Sequence, residues 1–127
     1  MSYTFDSGRP IYTQLLEKIT TDIVSGALEP GQRLPGVREM AAEYGVNPNT
    51  VQRTMAELER QGLVYAERTT GRFVTTDTER LTATRTEIAR KLAYHYLKTM
   101  RDLGMPTDEI KIITQSIHED LMKGESR

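Results

Sequence analysis

Between Pro10 and Ser25, apolar residues recur four apart at Ile11, Leu15, Ile19 and Ile23, with Tyr12 and Leu16 beside them. That spacing draws one stripe along a helix. Pro10 suits a first helical turn and Gly26 a helix end. Pro30-Gly31 predicts a tight turn, and Arg33-Leu34 a short extended piece before Pro35. A second, shorter helix is predicted from Val37 to Tyr44, with Met40, Ala41 and Tyr44 on one side and Gly45 closing it. Asn47 as cap and Pro48 at the first helical position then start a third helix. This helix turns Val51, Met55 and Leu58 inward and ends near Gly62. Two short helices joined by a turn of three or four residues that holds a glycine form a helix-turn-helix.

After Gly62 the period changes. Leu63 to Arg68 and Arg72 to Thr75 read as two short strands around Thr69-Thr70-Gly71, where the glycine is free to take a positive φ. Three helices followed by a hairpin make a winged helix-turn-helix. The remainder reads as two helices. Leu81, Ile88, Leu92, Tyr96 and Leu103 form one stripe of the first, and Ala89, Ala93, Leu97 and Met100 a second beside it. This surface is wider than one small partner helix needs. Gly104-Met105-Pro106 breaks the chain, and Thr107 is expected to cap the last helix, with Asp108 and Glu109 well placed against its N-terminal dipole. Its buried stripe is expected at Ile110, Ile113, Ile117 and Leu121. The expected class is α+β, mainly α, with residues 1–76 as the winged helix and 77–127 as a two-helix appendage.

Composition narrows the function. The chain has 127 residues, no Cys and no Trp. A chain of this length buries roughly two-thirds of its unfolded surface and folds without staples. Without Cys there are no disulfides, thiolate metal sites or thiol nucleophile, which fits a reducing compartment. No apolar run approaches the roughly 20 residues that span a bilayer, and the first residues lack the pattern of a signal peptide. A soluble, cytoplasmic protein is expected. Lys and Arg number 17 against 18 Asp and Glu, for a net charge of −1. Any attraction to nucleic acid must therefore come from local arrangement and from doubling by symmetry.

Along residues 10–75 the chain closely resembles the bacterial GntR family of transcription regulators. The resemblance rests on Pro10 to Leu15, Gly26 to Pro35, Val37-Arg38, Gly45 to Arg53, Leu58 to Val64 and Gly71 to Val74. It implies a dimeric, sequence-specific DNA-binding repressor or, less often, an activator. The 51 residues after Thr76 are too few for the larger sensor domains of other branches. They look like the YtrA-like subfamily, whose C-terminal helices serve for dimerisation and whose members often control transporter operons. Two positions depart from the family pattern. Gly36 stands where Ser or Ala is common, which costs a helix cap only a few tenths of a kcal/mol. Thr69 occupies the first of two wing positions that are usually glycine, which puts in doubt how deeply the wing enters a groove.

The outward side of the third helix offers Asn49, Thr50, Gln52 and Arg53, and no acidic residue occurs from Tyr44 to Ala56. DNA is expected to approach here, at the positive end of the helix dipole. Family resemblance makes Thr50 and Arg53 phosphate clamps. Arg38 is the best candidate for a bidentate guanine contact, with Asn47, Asn49 and Gln52 as further groove contacts. Asn47 is the weakest of these, because its side chain also serves as a cap. On the wing, Arg68, Gly71 and Arg72 are candidates. Tyr12 and Gln14 either touch the DNA backbone or, for Tyr12, pack as a half-buried residue. Ile88, Leu92, Tyr96, Leu97, Met100, Leu103, Ile113 and Ile117 are expected to pair two copies of the chain. Pairing would set two recognition helices about 34 Å apart on an inverted-repeat operator. The two histidines, His95 and His118, are read as packing residues rather than as a metal site with Glu119 or Asp120, and no cofactor is expected.

Two other classes remain as alternatives. An enzyme is disfavoured: the chain has no phosphate-binding glycine loop, no Cys and no paired carboxylates that stand out. A winged-helix module that binds proteins instead of DNA fits the near-neutral charge and the altered wing, but has no need for Arg38, Thr50 and Arg53 together.

Overall fold

The computed structural model describes residues 3–125. Its elements follow the order α1 (Ile11–Ser25), α2 (Val37–Tyr44), α3 (Pro48–Arg60), β1 (Val64–Glu67), β2 (Gly71–Val74), α4 (Thr78–Asp102) and α5 (Thr107–Glu125). Helices α1 and α2 end on left-handed glycines, Gly26 at φ +88° and Gly45 at φ +68°. Gly36 caps α2 through its extended backbone, with no side-chain bond. This is the arrangement expected for the most neutral departure from the family pattern.

The chain separates into a first unit ending at Thr86 and a second beginning at Glu87. In the first, Leu15, Ile19 and Ile23 of α1 meet Met40 and Ala41 of α2 and Val51, Met55 and Leu58 of α3 in one core. Leu34, Leu63, Val64 and Val74 close it from the hairpin side. Thr54 is also fully buried on α3, and its hydroxyl donates to the Thr50 carbonyl at 2.8 Å, so the polar group is satisfied. The first nine residues of α4, up to Thr86, belong to this unit as well. Leu81 is buried, and Arg85 Nη1 donates to the Val24 carbonyl at 3.1 Å.

Strands β1 and β2 pair antiparallel, with Tyr65 opposite Phe73 and Glu67 opposite Gly71. The Tyr65 and Phe73 rings stack with centroids 5.6 Å apart. The extended piece expected at Arg33-Leu34 finds its partner here. The Val74 N–H donates to the Gln32 carbonyl at 2.9 Å, and the Leu34 N–H to the Arg72 carbonyl at 2.8 Å. The wing is thereby anchored at its base to the segment leading into α2.

The second unit is built differently. No described residue from Glu87 to Gly124 is buried. The stripe expected to be buried on α5 is exposed, with Ile117 at 53% and Leu121 at 61%. Thr107 is the first residue of α5 and not its cap: the Pro106 carbonyl accepts from the Ile110 N–H at 3.1 Å, which puts Pro106 at the cap.

Candidate nucleic-acid interface

The start of α3 is fixed by its own cap. The Asn49 N–H donates to Asn47 Oδ1 at 2.8 Å, and the Thr50 N–H to the Asn47 carbonyl at 2.9 Å. Pro48 has no N–H to offer. The first-turn donors that commonly grip an anion at a helix N-terminus are therefore spent, and only the helix dipole remains. Contact with phosphate at this end has to come from side chains. Asn47 spends Oδ1 on the cap, so its remaining amide NH2 suits a donor role better than the bidentate donor-acceptor reading of an adenine.

Asn49, Gln52 and Arg53 are exposed and Thr50 is half-buried, as the inward placement of Val51, Met55 and Leu58 requires. Arg38 is exposed on α2. Arg38, Arg53 and Arg68 have no ion-pair partner among the described residues. The acids that follow on α3 are occupied. Glu57 accepts from Arg60 Nε at 2.8 Å and from Gln61 Nε2 at 2.8 Å. These donors hold its carboxyl down at about 2. Glu59 accepts from Arg72 Nε at 3.0 Å.

That last contact makes Arg72 a different kind of residue from Arg68. Arg72 is half-buried and ties β2 to α3 through Glu59, whereas Arg68 stands exposed at the wing tip. Beside Arg68 the Thr70 hydroxyl donates to Glu67 Oε2 at 2.8 Å, which stiffens the tip. Gly71 has φ +118°, and a Cβ there would lie 3.1 Å from Arg33 Nε. The glycine thus lets the Arg33 side chain lie across the wing base. Arg33 was not among the sequence candidates. Its extended segment was legible, but not its pairing with β2, which brings a cation beside the wing.

Two further side chains take positions the sequence left open. Gln14 is buried: its Oε1 accepts from the Asp6 N–H at 2.7 Å, and its Nε2 donates to the Asp6 and Arg9 carbonyls at 2.6 and 2.9 Å. It pins the N-terminal segment to α1 and has nothing left for DNA, which corrects its candidacy. Tyr12 is half-buried with the Arg53 guanidinium over its ring, 3.7 Å from the centroid.

In the second unit Leu92, Tyr96, Leu97, Leu103, Ile113 and Ile117 are exposed, and Ile88 and Met100 half-exposed. A groove of about 360 Å³ between α4 and α5 is lined by Tyr96, Met100, Ile113, Ile117, His118 and Leu121. The His95 ring meets Tyr96 edge-on at 5.5 Å. No described helix is long and apolar enough to cross a membrane.

A helix-turn-helix with an acid-free outer face and a hairpin wing defines a winged-helix DNA-binding protein. Residues 11–74 match the model of the bacterial regulatory proteins of the gntR family. The chain belongs to that family. It is 38% identical over 110 residues to the HTH-type transcriptional regulator YhcF of Bacillus subtilis, covering 87% of this chain and 91% of that one. The HTH-type transcriptional repressor YtrA of the same organism is 38% identical over 68 residues, 54% of this chain and 52% of the repressor. Among solved structures, a GntR family transcriptional regulator from Listeria monocytogenes superposes with a TM-score of 0.84 at 38% identity, covering 88% of this chain and 98% of the other. The DNA-binding domain of AraR in complex with operator ORX1 matches with a TM-score of 0.53 at 28% identity, covering 59% of this chain and 95% of that domain.

Proposed function

We propose that the chain is a homodimeric repressor of transcription that binds an inverted-repeat operator in double-stranded DNA, with residues 1–76 reading the DNA and 77–127 pairing the two copies. The observation that carries this reading is the outer face of α3. It presents Asn49, Thr50, Gln52 and Arg53 without an acid between Tyr44 and Ala56, and Arg53 and Arg38 of α2 have no ion-pair partner among the described residues. The related AraR DNA-binding domain is seen in complex with operator DNA, which supports DNA binding here.

In this reading Thr50 and Arg53 grip phosphate, and Arg38 reads a guanine through both guanidinium donors. Asn47, Asn49 and Gln52 supply the remaining groove contacts. Arg68 and the Gly71 turn carry the wing to the DNA, while Arg72 acts mainly by fixing the wing to α3 through Glu59. Ile88, Leu92, Tyr96, Leu97, Met100, Leu103, Ile113 and Ile117 form the dimer interface. They are apolar residues that one copy of the chain leaves in water, and an exposed surface of this kind calls for a partner. A two-fold pairing also doubles a modest positive face, which a chain of net charge −1 needs.

The test is selection of duplexes from a random library by the purified protein at near-physiological salt, followed by sequencing. An inverted repeat with half-sites about 10 base pairs apart is expected. The same selection with Arg38→Ala should relax one base position in each half-site. No enrichment from folded, dimeric protein would move the reading to a protein-binding module.

A further inference from the structure

A long arginine side chain on a protein surface samples many rotamers, and fixing it costs entropy each time it grips a ligand. Proteins commonly fix such a side chain with a carboxylate, as Glu59 does for Arg72 and Glu57 for Arg60. That solution orients the cation but spends its charge. Arg53 is held in another way. Its guanidinium lies 3.7 Å from the centroid of the Tyr12 ring, and no ion pair engages it among the described residues.

The ring is itself held firmly. Tyr12 sits in the first turn of α1, half-buried, next to Leu15, which is fully buried, and Gln14, which is locked to the Asp6 and Arg9 carbonyls. Arg53 sits on α3 between Val51 and Met55, both of which are in the core. The two helices therefore present ring and cation to each other from fixed backbones. A guanidinium stacked on a ring keeps its donors at the edge of its plane, free for a phosphate.

We propose that Tyr12 is a positioning residue for DNA binding: its ring is a platform that holds Arg53 extended and charged for the phosphate. The proposal rests on the reading of Arg53 as a phosphate contact. A cation over a ring at an exposed site predicts about a 2- to 5-fold effect on affinity per half-site, and ~4- to 25-fold when two copies bind one inverted repeat. The hydroxyl has no part in this, so Tyr12→Phe should bind almost as the natural chain does.

The experiment is a double-substitution cycle, read as affinity and its salt dependence on a fluorescent duplex carrying the selected inverted repeat. Arg53→Ala should weaken binding and lower the salt slope by about one per half-site. Tyr12→Leu should weaken binding within the range above, and in the Arg53→Ala background it should cost nothing further. Thermal unfolding of each variant registers any general loss of stability. Equal losses from Tyr12→Leu in both backgrounds would make Tyr12 a structural residue only and overturn the proposal. So would a loss from Tyr12→Phe as large as that from Tyr12→Leu, since the hydroxyl would then be the contact. If Arg53→Ala leaves both affinity and slope unchanged, the phosphate reading falls and the platform with it. If Arg53→Ala weakens binding while Tyr12→Leu does not, only the platform falls.

Discussion

The two units spend their apolar residues in opposite ways. Up to Thr86, leucines, isoleucines and valines from three helices and a hairpin converge on a closed core, and Leu15, Ile23, Val51, Leu58, Leu63 and Val74 lose all contact with water. From Glu87 onward the same residue types remain exposed, with Leu103 at 75% and Ile112 at 69%. Both regions are amphipathic by pattern. Only the first has enough elements to bury its stripes against itself. The difference shows that a helical stripe states a need for burial and not where the burial occurs. A helix such as α5, with 19 residues and none of its described residues buried, draws little stability from intrinsic propensity alone.

The comparison breaks first at the core. Leu58→Ala removes a fully buried side chain of α3 and should cost ~2–5 kcal/mol of folding stability, independent of protein concentration, in urea unfolding. A loss below about 1 kcal/mol would mean that the core collapses around the cavity and is looser than its burial indicates. The second unit should respond in the other way. Ile117→Asp places a charge on a surface that one chain exposes, so the unfolding of the winged helix should hardly change. Sedimentation should instead report monomers. Affinity for the full inverted repeat should fall on the order of 10²-fold, while binding to an isolated half-site stays the same. If the variant remains dimeric, the pairing surface lies elsewhere on the chain.

Most of the first unit was legible because its signals are local. Pro10, Gly26, Gly45, Asn47 and Pro48 punctuate the helices, and the observed bounds of α1, α2 and α3 follow them within a residue or two. The hairpin followed from a change of period at Gly62 and the turn before Gly71. The illegible part is what long-range packing decides. Nothing in the local pattern tells that Gln14 turns back to Asp6, that Arg72 pairs with Glu59 thirteen residues away, or that Arg33 crosses Gly71. The Tyr12 and Arg53 stack joins two helices 41 residues apart and has no periodicity to announce it. The candidate site was thus readable as a set of residue types on one helix face, but the partners that orient those residues were not. The stripe of α5 was readable as apolar, but a stripe does not say what covers it, and in one chain it stays exposed.

The smallest expected effect concerns a residue that serves the fold and, in the proposed reading, the site as well. Asn47 caps α3 through Oδ1, and in the proposed reading its amide NH2 serves the groove. Asn47→Ala removes both functions: it should cost about 1 kcal/mol of stability, the usual value of such a cap, and also weaken operator binding. Asn47→Asp separates the two. An aspartate caps as well as an asparagine and favours the positive end of the dipole, so stability should return to that of the natural chain. Its second oxygen accepts where the amide donated and repels phosphate, so operator affinity should stay low. Unfolding and operator titration of the two variants measure this directly. Full recovery of both properties in Asn47→Asp would make Asn47 a cap and nothing more, leaving the reading of bases to Arg38, Asn49 and Gln52.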